Sequence, residues 1–506
     1  MRRSVAPLTA VAILAAAVGV YAATRGGGSS PPPPPVSTAA APTATTSNPP
    51  PAAPGASAGD WPLFGYDAAR SNANPHPTGV TAADLAGLRR RVVALPGTVD
   101  SSPIFLRGVA VDGRRRDAFF MTTTYGRTIA LSPAGRVLWT FTPTSYATYA
   151  GTAQITTATP AADPDRRYIY SASPDGMIHK LAVASGREVS AAGWPVRVTL
   201  LPAREKIASA LNVWRDSVIV TTGGYIGDAP PYQGHVVAIR RASGRIAAVF
   251  NSLCSDTRRL LDPAACPQSD SAIWGRAGAV VEPATGAILV ATGNAPFDGR
   301  TAWGDSVLRL APGALSLRAS YTPANQAELN ASDLDLGSSA PALVAGRGLL
   351  VVQGGKDGVL RLVALAGRSP GRLGGELQRL PTPGGAALFT AIAVSGRAGT
   401  ERVFVADGSG TAAYRVRGAG TAARLVADWS NASAGTSPVL AGGLLYVYDP
   451  GGALNVYDPG TGRRLRSLPA GAGHWSSPIV AGGVIALPAG DANDHSTTGT
   501  IDLYAR

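Results

Sequence analysis

Beyond residue 60 the chain is written in short apolar runs, each stopped by Gly, Pro, Asn or Asp, and apolar residues at the 3.6-residue helical period are hard to find. The clearest stretch is "GTSPVLAGGLLYVYDPGGALNVYDPGTGRRLRSLPA", Gly435 to Ala470. It reads as strand, Gly-Gly turn, strand ending in Tyr448-Asp449, second Gly-Gly turn, strand ending in Tyr457-Asp458, Thr-Gly turn and final strand, which makes one small antiparallel sheet. A similar opening, small residues before an apolar run, recurs as "SSPIFL" at Ser101, "TATPAA" at Thr157, "ASALNV" at Ala208, "IWGRAGAVVE" at Ile273, "GSSAPALV" at Gly337, "FTAIAV" at Phe389 and "WSSPIV" at Trp475. Eight units spaced 40 to 65 residues apart predict an all-β fold, an eight-bladed β-propeller of four-stranded antiparallel blades. The last unit ends at "GTIDLYAR", one strand short. An unpaired edge invites aggregation, so "LRRRVVALPG", Leu88 to Gly97, is expected to supply the outermost strand of the last blade and close the ring.

The N-terminus divides the chain into three parts. Arg2 and Arg3 precede an uncharged run from Ser4 to Thr24, so residues 1–25 read as a signal peptide or membrane anchor, with small residues around Val20-Tyr21-Ala22 suited to cleavage. No cysteine there serves a lipid anchor, and cleavage and retention both remain open. Residues 26–59 are a Pro, Ser and Ala tract with no hydrophobic period, expected to be a disordered linker whose polyproline reach is on the order of 100 Å. Residues 60–506 form the propeller. An extracytoplasmic location follows: secreted, periplasmic or held at the outer face of the membrane through the N-terminal segment alone.

The net charge of +13 raises nucleic acid as a partner, but the cations are nearly all Arg, only Lys180, Lys206 and Lys356 are lysines, and no basic stripe with interleaved aromatics exists. Nucleic acid is therefore not expected. In an oxidising compartment Cys254 and Cys266 read as one disulfide closing a polar loop, since neither CxxC spacing nor a nearby His pair supports a metal. No HExxH, G-x-S-x-G or phosphate loop is present, the five His are dispersed, and "GDANDHSTTG" with Asp491, Asn493 and His495 reads as a polar insertion.

"DWPLFGYDAARSNANP", "TGVTAADLAGLRRRVVALPGTVDSSPIF", "IWGRAGAVVEPATGAILVATGN" with "WGDSVLRL", and "LDLGSSAP" with "GGKDGVLRLV" together resemble the quinoprotein alcohol dehydrogenase superfamily over essentially all of Asp60 to Arg506. The resemblance implies an axial funnel able to hold pyrroloquinoline quinone (PQQ) and calcium. It implies Trp274 as the floor under the quinone, Lys356 as a cation facing its oxygens, Asn294 and Asp228 as metal ligands, and Asp335 or Asp333 as the catalytic carboxylate. Asn294 is thus expected to point into the funnel with Trp274, Asp228, Asp335 and Lys356 around it. Each residue also has a plain structural reading. Trp274 suits core packing, Gly293-Asn294 a strand-ending turn with left-handed backbone, Asp305 and Asp335 the capping of blade turns, and Lys356-Asp357-Gly358 a hairpin turn.

Two departures count against redox activity. The adjacent-cysteine disulfide that covers the quinone in the dehydrogenases is missing, and Asp228 is one position off and one carbon shorter than the family's glutamate. Three function classes remain: an exported monomeric propeller binding a small molecule or envelope protein at a degenerate funnel, a PQQ- and calcium-dependent alcohol dehydrogenase, and an envelope scaffold like the outer-membrane assembly propellers.

Overall fold

Gly and Asp in the turns, and buried β-branched and aromatic residues between them, organise the described residues into eight antiparallel sheets of four strands, one of which gains a fifth, parallel strand, beside a two-stranded ribbon of Glu205–Lys206 and Gly223–Gly224. The computed structural model describes residues 59–506 apart from 345, 347 and 398. The leader (1–25) and nearly all of the proline tract (26–59) lie outside the described residues. Blades 1 to 8 open with strands Ile104–Val111, Ala161–Ala162, Asn212–Trp214, Val280–Val281, Ala342–Val344, Ala393–Ser395, Val439–Ala441 and Ile479–Ala481. These first strands lie innermost: Ile479–Ala481 is wholly buried, whereas the outer strands Arg464–Pro469 and Arg89–Leu95 are largely exposed. Helix is confined, among the described residues, to Tyr146–Tyr149, Gln326–Ala331 and short 3-10 turns.

The small hydroxyl residues that open the units join each blade to the next. Thr156 and Thr157 donate to Ile207 and Ala208 carbonyls at 2.7 and 2.8 Å, and Ser209 to Ile273 at 3.2 Å. Ser338 donates to Leu388 at 2.7 Å, Ser437 accepts from the Ala391 N–H at 2.9 Å, and Thr436 donates to Ser476 at 2.8 Å. The Ser102 N–H donates to the Thr159 hydroxyl at 3.1 Å between blades 1 and 2, and the Ser102 and Ser477 hydroxyls, 2.5 Å apart, complete the circuit between blades 8 and 1. A hydroxyl satisfies a backbone carbonyl where two inner strands diverge and no ladder partner is available, so the recurring Ser and Thr are buried polar groups with defined partners. Blades 4 and 5 meet differently: a side chain on Gly275 would stand 2.6 Å from the Ala340 nitrogen, so their backbones touch directly.

Blade 8 takes its outermost strand from the other end of the chain. Arg89–Leu95 runs antiparallel to Gly499–Ala505, with Arg89 opposite Ala505 and Leu95 opposite Gly499, and Arg90 pairs with buried Asp502 at 3.0 Å. The segment before it, Trp61 to Thr78, threads the axis. Its backbone bonds Phe105, Ala162, Val281, Val394, Leu440 and Gly483 on the inner strands or turns of blades 1, 2, 4, 6, 7 and 8. Buried Arg70, in left-handed conformation, donates to the carbonyls of Phe64 and, on the approach to blade 3, Leu211, both at 2.8 Å. A segment bonded to inner strands around the whole ring fills the central channel.

Cys254 and Cys266 are disulfide-bonded, their Cα atoms 6.1 Å apart, in the loop between blades 3 and 4. Cys266 packs with Leu253, Leu261, Ala295 and Ala302.

Deleting Thr500 to Arg506 removes the buried side chains of Ile501, Leu503 and Tyr504 and strips both flanking strands of their ladder. At ~2–5 kcal/mol per large buried side chain the loss approaches the whole ~5–15 kcal/mol of a folded domain. The truncated protein is expected to lose its cooperative thermal transition by circular dichroism, and an unchanged melt contradicts the ring closure. Reducing Cys254–Cys266 opens a short loop only, and is expected to lower the melting temperature by about 3–6 °C, from ~3 kcal/mol of loop entropy spread over a large domain.

Candidate functional site

In each blade the start of strand 1, the turn between strands 2 and 3 and the end of strand 4 lie on one face of the ring. All the residues singled out in the sequence sit there. Trp274 precedes blade 4, Asp333 and Asp335 precede blade 5, and Lys356 occupies the turn between Leu350–Gln353 and Val359–Ala364. Asn294 and Asp228 lie in the corresponding turns of blades 4 and 3.

Asp335 is the centre of one group. Its Oδ1 accepts the Asn294 backbone N–H at 2.6 Å and its Oδ2 the Lys356 ammonium at 2.6 Å; Lys356 also reaches Asp333 at 3.0 Å and stands 5.7 Å from the centre of the Trp274 ring. Burial pushes the Asp335 carboxyl above the usual carboxylate range, against the pull of Lys356 and the Asn294 N–H. Burial would lower Lys356, but Asp335 and Asp333 outweigh it and hold the ammonium above its ordinary value. Lys356 therefore meets the carboxylates as the cation of the group. Asp305, fully buried beside Asp335, is pushed up to about 7, chiefly by burial, while the Leu336 N–H bonds it at 3.0 Å. The left-handed residues at this turn are Gly299 and Asp305, with φ 68° and 48°, rather than Gly293 or Asn294.

Asp228 makes neither a hydrogen bond nor an ion pair with Asp335, Asp333 or Lys356. It is exposed on the loop 225–231, with φ 47°, and accepts the Tyr232 hydroxyl at 2.9 Å. Burial raises Asp270, and the charges of Asp228 and Asp333 raise it further, so this side of the face is acidic.

A second group was not visible in the sequence. Arg276, two residues after Trp274, reaches from blade 4 to the start of blade 1 and donates to the Asp100 carbonyl at 2.7 Å and carboxylate at 2.9 Å. His474, before blade 8, binds the other Asp100 oxygen at 2.8 Å and lies 3.5 Å from Asp491. Burial would raise Asp100, but Arg276 and His474 outweigh it and hold the carboxyl well below the usual range. Burial and the charge of Arg276 pull the nearby Lys206 ammonium down to about 8, opposed by Asp100 and Asp491. Asp100, His474 and Asp491 each bring one ligand atom within 4.8 Å of the others. Arg276 already supplies the positive charge Asp100 requires.

Aromatic rings join the two groups. Trp274 packs at 6.0 Å and 32° on Trp475 and at 6.2 Å and 41° on Phe389; Phe389 and Trp475 stack at 4.8 Å and 11°, and His474 stacks on Trp475 at 4.0 Å. Arg276 stands 5.1 Å from the Trp475 ring. Blades 4 and 8 are opposite one another in the ring, so the Trp274–Trp475 contact spans the axis. The only sequence signal for Trp475 was its place at the opening of the eighth unit; Asp100, Arg276 and His474 carried none.

Neither a protein-family model nor a curated protein sequence matches the chain. Solved structures do. The quinohemoprotein alcohol dehydrogenase from Comamonas testosteroni matches with TM-score 0.62 at 15% identity, over 88% of this chain and 80% of that one. A europium-containing methanol dehydrogenase matches with TM-score 0.64 at 16% identity, over 89% and 98%. BamB from Moraxella catarrhalis matches with TM-score 0.51 at 13% identity, over 83% and 100%. In fold, this chain is an eight-bladed β-propeller of the kind found in the quinoprotein alcohol dehydrogenases.

Proposed function

We propose that this chain is an exported, non-redox propeller that binds a ligand or a protein on the face carrying the blade-opening loops, with a funnel closed by its own side chains. The carrying observation is the Trp274–Trp475 contact across the axis. A planar quinone lying on Trp274 needs an indole face to itself. Here Trp475 and Phe389 pack against that ring at 6.0 and 6.2 Å, and the Lys356 ammonium stands 5.7 Å from its centre. The donor set is equally unsuited to calcium, which takes six to eight oxygens. Asp335 gives one oxygen to the Asn294 N–H and the other to the Lys356 ammonium, and Asp228, on an exposed loop, gives Oδ1 to Tyr232. Lys356 supplies between Asp333 and Asp335 the charge that a metal would bring. The residues present do not fit PQQ and calcium, and no redox step is derived through them. Export is supported by the apolar leader and by the Cys254–Cys266 bond, which belongs to an oxidising compartment.

The test is reconstitution of the purified protein with PQQ and calcium. We expect no quinone absorbance to co-elute on gel filtration and no rise in melting temperature, since a ligand bound only by the native state must raise it. Stoichiometric quinone retention with a raised melting temperature overturns the reading.

A further inference from the structure

Lys180, Lys206 and Lys356 are the only lysines of the chain, and two of them are tied down. Lys180 donates to the Arg241 carbonyl at 2.8 Å, and Lys356 is held by Asp333 and Asp335 at 3.0 and 2.6 Å. Lys206 makes no hydrogen bond or ion pair among the described residues. It is half-buried, and its nitrogen is not sealed from solvent.

The short ribbon that carries Lys206 decides where it points. Glu205–Lys206 runs antiparallel to Gly223–Gly224, with Glu205 opposite Gly224 and Lys206 opposite Gly223. Residues directly opposite in such a pair share one side, and neighbours along a strand take opposite sides. Glu205 turns inward and is buried, with His235 at 3.0 Å and the Gln233 N–H at 3.1 Å. Lys206 therefore takes the other side, shared with Gly223. A side chain on Gly223 would stand 2.9 Å from the Ala272 Cβ and 3.2 Å from the Trp274 Cβ, so that side is the opening of blade 4, two residues before Arg276. There burial, and then the charge of Arg276, bring the Lys206 ammonium down to about 8 against Asp100 and Asp491. At pH 7 about one molecule in ten then carries the free amine, against on the order of one in three thousand for an ordinary lysine. An amine desolvated beside a second cation is the form of lysine that adds to carbonyl groups.

We propose that Lys206 captures a small neutral aldehyde as an iminium ion, and the proposal rests on the reading of this face as a binding face. The amine lone pair adds to the carbonyl carbon, and the C–O π pair moves to oxygen. That oxygen takes up two protons and leaves as water, while a C=N bond replaces the C–O bond. One ammonium and one carbonyl thus become one iminium ion and one water, with no oxidant or reductant. Other ligands suit these surroundings less well. An anion would meet the charges of Asp100 and Asp491, and a metal ion those of Lys206 and Arg276. Acylation of the amine would abolish a positive charge that both carboxylates face, whereas an iminium ion keeps it.

The experiment is reductive trapping on the purified full chain at pH 7, with sodium cyanoborohydride and propionaldehyde or glycolaldehyde, and with pyruvate as the anionic arm. Peptide mapping separates the three lysines from the N-terminal amine. The expected result is an adduct at Lys206 that forms about tenfold or more faster than at Lys180 or Lys356, and whose rate saturates with aldehyde concentration. Lys206→Arg keeps the charge, and is expected to lose the adduct while its melting curve stays close to that of the parent. In guanidinium the three lysines are expected to react alike. Equal labelling of the three in the folded protein, a rate at Lys206 that never saturates, a preference that survives unfolding, or faster trapping of pyruvate than of either aldehyde overturns the proposal. These outcomes leave the non-redox reading standing, whereas retention of PQQ with calcium removes that reading whatever the aldehydes do.

Discussion

The contact between Trp274 and Trp475 is the one on which the rest of this site depends. Eight blades around an axis leave a channel, and a channel lined by strand starts must be filled by solvent, ligand or protein. Here the segment Trp61 to Thr78 fills the part along the inner strands, and two indoles from opposite blades meet at 6.0 Å over the other end. Once they meet, Phe389 stacks beside them, Lys356 lies near the Trp274 ring, and a cleft on that face lies off the axis toward blades 6 to 8.

The charges beside the aromatic plug obey the same constraint. A buried ion is costly unless it is paired and its remaining valences are hydrogen-bonded. Arg276 and His474 meet this need for Asp100, and Lys356 with the Asn294 N–H meets it for Asp335. The Asp100 arrangement crosses between blades distant in sequence, whereas the Asp335 arrangement ties together the neighbouring blades 4 and 5. The depressed Asp100 carboxyl is ionised in the folded state below the pH at which an unfolded aspartate takes its proton, so its contribution to stability is present at neutral pH and fades only as the solution becomes strongly acidic.

The blades were legible because turn chemistry and continuous apolar runs are local: Gly442-Gly443 and the Ser-Pro openings read directly as a hairpin and a strand start. The single loop holding both cysteines was legible for the same reason. Contacts across the axis were not. Arg276 and Asp100 are separated by 176 residues and His474 and Asp100 by 374, and no periodicity in either stretch reports a neighbour on another blade. The stretch around "GYDAARSNANP" read as the start of the propeller, yet nothing in its pattern distinguished a surface strand from a segment threaded through the centre. The residues chosen by resemblance do occupy one face, but their local use differs. Asn294 contributes its backbone N–H, and Asp228 stands on an exposed loop one position off the family's spacing.

A double-mutant cycle on Trp274 and Trp475 tests the filled axis most directly. Thermal or denaturant stability is measured for the parent, Trp274→Ala, Trp475→Ala and the double variant. Rings in contact across the ring of blades predict that the double variant loses less than the two single losses added together, by a coupling of about 0.5–1.5 kcal/mol. Losses that add within error would mean that the two indoles do not touch, and the axis would then be open to a cofactor.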